Sequence, residues 1–319
     1  MKNFFAGPVV LALFALTTIP ALAQYPARPI HLIVPFPAGG VVDTVGRILG
    51  QALSQELGQP VIVDNKPGAE GAIGATSVVK SPPDGYTLLL GTAAVILGVP
   101  ALHKNPPYHP FTDFTPVTSL GRNTFFLFVH PSVPAKTLAE LIAYARANPN
   151  KLSYGSGGTF QILLTAHLAE VADIKMVHVP YKGDPPAILD LLAGRIQVLF
   201  SVVTTTLAYA KEGRLRVLAT LVRSSLAPDV PTMEEAGTPM SSIPPTWWGI
   251  LGPAKMPREI VARLSKELNQ ILRHPDVRAQ LARQGLESQG SSPEEFATHL
   301  REQLDVWTRA VREGGLVQD

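Results

Sequence analysis

The chain has no cysteine among its 319 residues. That absence removes a disulfide framework, a thiolate metal site, a cysteine nucleophile and a lipid-modified N-terminal cysteine together, so the fold must stand on its packed core. Charge of one sign is also lacking. There are 27 Lys+Arg and 25 Asp+Glu, a formal +2, with no basic run. Phosphate neutralisation needs clustered Lys or Arg, so nucleic acid is not an expected partner. The longest apolar run of the N-terminal segment, Val9–Leu16, is shorter than the roughly 18 to 20 residues of a membrane-spanning helix, and no later run is long enough. The eight histidines form no His-x-x-x-His or Glu-x-x-His pair. His167, His178 and His299 stand singly, which predicts surface or core roles and no metal site. Gly39-Gly40 lacks the Gly-Lys-Ser/Thr ending of a Walker loop and the spaced glycines of a dinucleotide fingerprint.

What is present is a composition for a large core, 46% hydrophobic and 16% charged, with 26 glycines and 30 prolines. The Gly and Pro content exceeds the usual share of roughly 12% and predicts many short elements joined by specified turns. The length suits one large domain or two of ordinary size.

Met1–Ala23 reads as a secretory signal: Lys2, then the apolar run from Val9, then Ala21-Leu22-Ala23 before an expected cleavage. Export of residues 24–319 predicts a soluble protein, in a bacterium a periplasmic one.

Beyond it, apolar strand-like runs alternate with helix-period segments. Ile30–Val34 precedes a helix over Asp43–Leu57, Val61–Val63 precedes one over Glu70–Val79, and Thr87–Leu90 follows. Val45, Ile48, Leu49 and Ala52 fall at i, i+3, i+4 and i+7, one buried stripe, with Arg47, Gln51 and Gln55 toward water. A second alternation starts near Phe125 and runs to Leu215–Thr220, predicting a second α/β lobe of parallel strands and covering helices. The remainder is mostly helical. Pro257 is placed at a first helical position, and Ser292-Pro293-Glu294-Glu295 reads as a capping box. Pro244–Pro245 before Trp247–Trp248 marks a second lobe crossing, and two adjacent tryptophans in a strand point to opposite faces, one toward core or cleft and the other outward.

Three segments share the order strand, Gly-, Ser- or Pro-rich turn, helix start: Val34–Asp43, Tyr154–Thr159 and Val179–Pro186. The first turn of a helix has free N–H groups and partial positive charge, and glycine lets an anion approach them, so such turns hold a carboxylate without arginine. Lining a crevice between two lobes, they form an organic-anion site. Asp43 reads as a helix-start acid that complements the dipole, and Asp184 as a cap before Pro185. Ser156 lacks the first glycine of a nucleophile elbow, since Tyr154 stands there. An exported hydrolase using Ser156 or Thr159 with a distant histidine is the competing reading.

Several stretches together resemble receptors of the tripartite tricarboxylate transporter family, also called Bug receptors: Tyr25-Pro26-x-Arg28-Pro29-Ile30, Val34–Asp43, Val61–Gly74, Asp84–Leu88, Asp113–Val117, His178–Gly183, Pro228–Thr232 and Trp248–Pro253. The resemblance implies a two-lobe, venus-flytrap α/β fold, each lobe a mostly parallel sheet flanked by helices. Lobe 1 is residues 24–122 with 248–319, and lobe 2 is 123–247, with hinges near Arg122–Thr124 and Pro245–Gly249. It also implies a monomeric periplasmic receptor without catalysis, metal or cofactor, delivering a small carboxylate to a membrane permease or informing a sensor. The candidate contacts are Phe36, Ala38, Gly39, Gly40, Asp43, Thr92, Ala93, Ser156, Gly157, Gly158, Thr159, Phe160, Tyr181, Lys182, Gly183, Asp184 and Ser201. Val42, Val99-Pro100 and Phe160–Leu164 replace polar or small residues common in the family. The expected ligand is therefore less polar than citrate, an aromatic or longer aliphatic carboxylate against Phe36 and Phe160.

Overall fold

The computed structural model describes residues 25–313 apart from 203, 225, 241, 242, 244 and 245. The signal segment with its cleavage after Ala23, and the crossing at Pro244–Pro245, lie outside the described residues.

In chain order the first elements are β1 (Ile30–Val34), α1 (Val41–Leu57), β2 (Val61–Asn65), a 3-10 turn at Ala69–Gly71, α2 (Ala72–Val79), β3 (Thr87–Thr92), a π-helical turn at Ala94–Gly98, α3 (Val99–Leu102) and β4 (Phe114–Asn123). The chain then crosses to β5 (Phe126–Val129), α4 (Leu138–Ala147), β6 (Ser153–Ser156), α5 (Thr159–Val171), β7 (Val177–Pro180), α6 (Asp184–Leu192), β8 (Val198–Ser201), α7 (Thr204–Lys211) and β9 (Arg216–Thr220). It returns through β10 (Trp247–Pro253), α8 (Arg258–Arg273), α9 (Pro275–Arg283), β11 (Leu286–Ser288) and α10 (Pro293–Glu313).

Two sheets result, ordered β11-β4-β10-β3-β1-β2 and β7-β6-β8-β5-β9. In the first, β1 pairs parallel with β2 and β3, whereas β10 and β11 pair antiparallel. In the second, β6 pairs parallel with β7 and β8, and β5 runs antiparallel to β8 and β9. Each βαβ unit gives the parallel part, as the alternation of strands and helices requires. The antiparallel part comes from β4, β5 and β10, which carry the chain from one sheet to the other and back.

The helix stripe sits as its period dictates. Val45 and Leu49 are fully buried, Ile48 and Ala52 pack at its margin, and Arg47, Gln51 and Gln55 are exposed. The capping box forms: the Ser292 N–H donates to Glu295 Oε2 at 2.8 Å and the Glu295 N–H to Ser292 Oγ at 3.1 Å. Pro257 stands one residue earlier than its expected place, as the N-cap of α8.

Both tryptophans of β10 are buried, at 1% and 4% exposure, so neither faces water. Trp247 meets Phe296 edge-on at 5.1 Å and donates its indole N–H to Gln303 Oε1 at 3.1 Å, because α10 covers that side of the sheet. Trp248, on the opposite side, faces a cavity between the two sheets.

Candidate ligand-binding site

The cavity holds about 110 Å³ and opens at the N-termini of both α1 and α5. Two ends of helices with unsatisfied N–H groups therefore look into one small space. Phe36, Pro37, Gly40, Val41 and Val42 come from the β1–α1 connection. Gly157, Gly158, Thr159, Phe160 and Gln161 come from the β6–α5 connection, and Gly183, Asp184 and Pro185 from β7–α6. Thr92, Ala94, Asn123, Phe125, Val202, Trp248 and Glu70 close the wall.

Of the candidate residues read from sequence, Phe36, Gly40, Thr92, Gly157, Gly158, Thr159, Phe160, Gly183 and Asp184 meet at this cavity. The others do not line it. Ala38, Gly39 and Lys182 are exposed, and Ala93 is buried beside the π-helical turn. Tyr181 donates its hydroxyl to Asp190 at 2.8 Å. Ser156, 2% exposed, lies 2.7 Å from His178 Nε2, a side-chain contact between β6 and β7. Ser201 donates to Asp184 Oδ2 at 3.1 Å, behind the wall.

Asp43 is also behind the wall. Its carboxylate accepts the Gly39 N–H at 2.9 Å, Arg47 Nε at 3.1 Å and Asn65 Nδ2 at 3.0 Å, while Asn65 also donates to the Phe36 carbonyl at 3.1 Å. The acid thus folds the β1–α1 loop back on its own helix start and aims the first turn at the cavity. Burial alone would raise its pKa, but the bonds from Arg47, Gly39 and Asn65 and the Arg47 charge outweigh burial and lower it. A lowered carboxyl pKa contributes stability above the unfolded value of 3.8 and loses it as pH falls through the folded value. Asp43→Asn is expected to cost about 1 to 3 kcal/mol at neutral pH. In urea unfolding the gap to the wild type should close only below about pH 4. Equal stability at neutral pH, or a gap that persists in strong acid, would refute this.

Gln161 organises the opposite side, a role that sequence reading did not assign. Its side-chain oxygen accepts the Gly157 N–H at 2.5 Å, and its amide donates to Asp184 Oδ1 and to the Phe200 carbonyl, both at 2.7 Å. One side chain therefore holds the β6–α5 loop, the start of α6 and the end of β8 together. Burial raises the Asp184 pKa, while the Gln161 and Ser201 bonds pull it the other way.

Phe160 is wedged between Phe125 at 5.0 Å and Trp307 of α10 at 5.6 Å, ring centre to ring centre. This gives the cavity a rigid aromatic side. No Lys, Arg or His lines it among the described residues. Asn123, 4% exposed, has a side-chain oxygen without a hydrogen-bond partner among the described residues. Leaving such a buried group unpaired costs about 1 to 3 kcal/mol.

The model of the tripartite tricarboxylate transporter family receptor matches residues 45–316. The chain belongs to that family. BugT of Bordetella pertussis is 36% identical over 298 residues, covering 91% of this chain and 90% of the relative. A protein from the tcbD-tcbE intergenic region of a Pseudomonas species is 36% identical over 317 residues, 98% of this chain and 94% of the relative. Among solved structures, periplasmic binding protein BugD superposes with a TM-score of 0.85 at 31% identity, covering 92% of this chain and all of BugD. An R. palustris protein solved with adipate superposes at 0.86 with 31% identity, over 92% of this chain and 99% of that one. MatC from Rhodopseudomonas palustris, solved with malate, superposes at 0.81 with 28% identity, over 90% of this chain and all of MatC. The family is one of periplasmic solute-binding receptors, and its two-sheet α/β architecture is the one described above. Among the described residues no helix is long and apolar enough to cross a membrane.

Proposed function

We propose that the chain is an exported, monomeric receptor that closes two lobes, residues 24–122 with 248–319 and residues 123–247, on a small organic carboxylate. It then delivers that ligand to a tripartite tricarboxylate-type membrane transporter. The observation that carries this reading is a cavity between the two sheets into which the N-termini of α1 and α5 both open. Helix ends bind carboxylates through backbone N–H groups, so the absence of a lining cation is no obstacle. The wall of Phe36, Val42, Phe125, Phe160 and Trp248 favours an aromatic or aliphatic acid over a hydroxylated tricarboxylate. The Asn123 oxygen, an acceptor without a partner among the described residues, would orient a ligand that carries a hydrogen-bond donor besides its carboxylate.

A thermal-shift screen of protein unfolded and refolded to strip carried ligand tests the reading. The panel holds aliphatic and aromatic carboxylates, citrate, acidic amino acids and neutral amides. At 100 times its dissociation constant a ligand adds about 2.7 kcal/mol, a shift of roughly 4 °C for a chain of this size. Asn123→Ala should cost the unliganded protein little, because the oxygen it removes is unpaired. No shift with any acid would end the carboxylate assignment.

Use of the same fold as a sensor input differs only in the partner, which co-purification with a permease or a kinase distinguishes. The Ser156–His178 contact is the one feature a hydrolase reading has in its favour. Its hydroxyl is buried outside the cavity wall, so ester turnover lost in Ser156→Ala would be needed to sustain it.

A further inference from the structure

Glu70 is the one charged residue besides Asp184 on the cavity wall, and it reaches there from an unusual backbone. The stretch Gly68–Gly71 has four successive positive φ angles, 118°, 45°, 55° and 95°, of which the 45° of Ala69 and the 55° of Glu70 belong to residues with a Cβ. Side-chain-bearing residues hold that region only where the surroundings over-determine it. At Glu70 the surroundings include a bond across the cavity: the Thr159 hydroxyl, on the first residue of α5, donates to Glu70 Oε2. Glu70 belongs to the unit built on the first sheet and Thr159 to the unit built on the second, so the contact joins the two.

A carboxylate at the N-terminus of α5 is what the helix end favours by its dipole and its free amides. Three helix starts line the cavity, and that of α6 already carries Asp184 as its first residue, which leaves those of α1 and α5 as places for two carboxylates. We propose that Glu70 provides one of them from within the chain, so that the site takes a ligand with a single carboxylate, held at the N-terminus of α1, and rejects dicarboxylates.

Two further points lead the same way. A second ligand carboxylate at α5 would meet Glu70 with no cation on the wall to offset the repulsion. The buried, unpartnered oxygen of Asn123 on the same wall is an acceptor, so a second carboxylate set against it would meet a like partial charge, which a hydrocarbon tail would not.

This inference rests on the carboxylate-receptor reading, and matched acids separate the two. Calorimetric titration would compare hexanoate with adipate and benzoate with terephthalate, using the wild type, Glu70→Gly and Glu70→Gln. Glycine is favoured at φ 55° and glutamine keeps the shape, so at least one variant folds; melting temperatures verify this. The wild type is expected to bind the monoacid of a pair at least about tenfold more tightly than the diacid. In Glu70→Gly the preference should fall by about tenfold or invert, with Glu70→Gln between the two. A wild type that binds diacids as tightly as monoacids, or variants that keep the wild-type ratio, would overturn the proposal and leave the receptor reading intact. If no acid of either kind binds the wild type or Glu70→Gly, the carboxylate reading itself falls and this proposal with it.

Discussion

Replacing Gly157 with alanine is expected to weaken ligand binding by about 2 kcal/mol, roughly thirtyfold, in a protein that still folds. A Cβ at this position would stand 2.5 Å from the carbonyl carbon of Gly183 and 2.6 Å from both the amide nitrogen and Oδ1 of Asp184. Two of those atoms are backbone and cannot rotate away. The β6–α5 and β7–α6 loops must then separate, which breaks the Gln161 bridge to Asp184 and swings the first turn of α5 off the cavity. The added strain should lower stability by about 1 to 3 kcal/mol. Gly158→Ala is the comparison: its φ of 179° is ordinary extended backbone, and a Cβ there meets nothing within 4 Å, so stability should be unchanged. Titration of both variants decides the matter. Wild-type affinity in Gly157→Ala would show that loop separation is not what matters.

The second large effect is on folding. Gly121 sits in β4 at φ 129°, where a Cβ would fall 2.0 Å from the Glu287 carbonyl oxygen and 2.8 Å from the Gln289 nitrogen. Both the backbone conformation and the contact are closed to alanine. The three-residue strand β11 lies at the edge of its sheet, so Gly121→Ala can be accommodated only by shedding the β11 pairing at Glu287 and Ser288. A loss of about 3 kcal/mol or more is expected in urea unfolding. Because β4 continues directly to Asn123, ligand affinity should fall as well. A midpoint within error of the wild type would contradict the assignment of β11 as part of the sheet.

The parts of this molecule governed by local rules were legible in the sequence. β1 spans the residues its apolar run indicates, the α1 stripe buries the side chains its period selects, and Ser292 with Glu295 closes the capping box. The turn-rich loops also reach the cavity, because a glycine-bearing turn before a helix exposes N–H groups wherever it occurs. The residues that sequence reading missed depend on backbone geometry or on partners far along the chain. Glu70 reads as the first residue of a helix, yet four positive φ angles delay α2 to Ala72 and leave the acid exposed at the cavity wall. The flanking Gly68 and Gly71 were the available signal. Asn123 and Trp248 come from strands paired across more than a hundred residues, and no local period announces that pairing. Gln161 looks like one polar position among several on α5 until its three partners, from three separate segments, are seen together. Sequence placed one of the two adjacent tryptophans outward, yet both are buried, because nothing near β10 foretells that α10 will fold over Trp247.

The positions of the aromatic residues have a practical result for anyone handling the protein. The chain has three tryptophans, and two of them border the space between the sheets: Trp248 on the cavity wall and Trp307 against Phe160 at the start of α5, while Trp247 lies under α10 on the other side of β10. Indole emission responds to the polarity and packing of its surroundings, and two of the three indoles border the space a ligand would enter. The unlabelled protein is thus its own optical probe, in which arrival of a ligand is read directly as a change of colour or brightness.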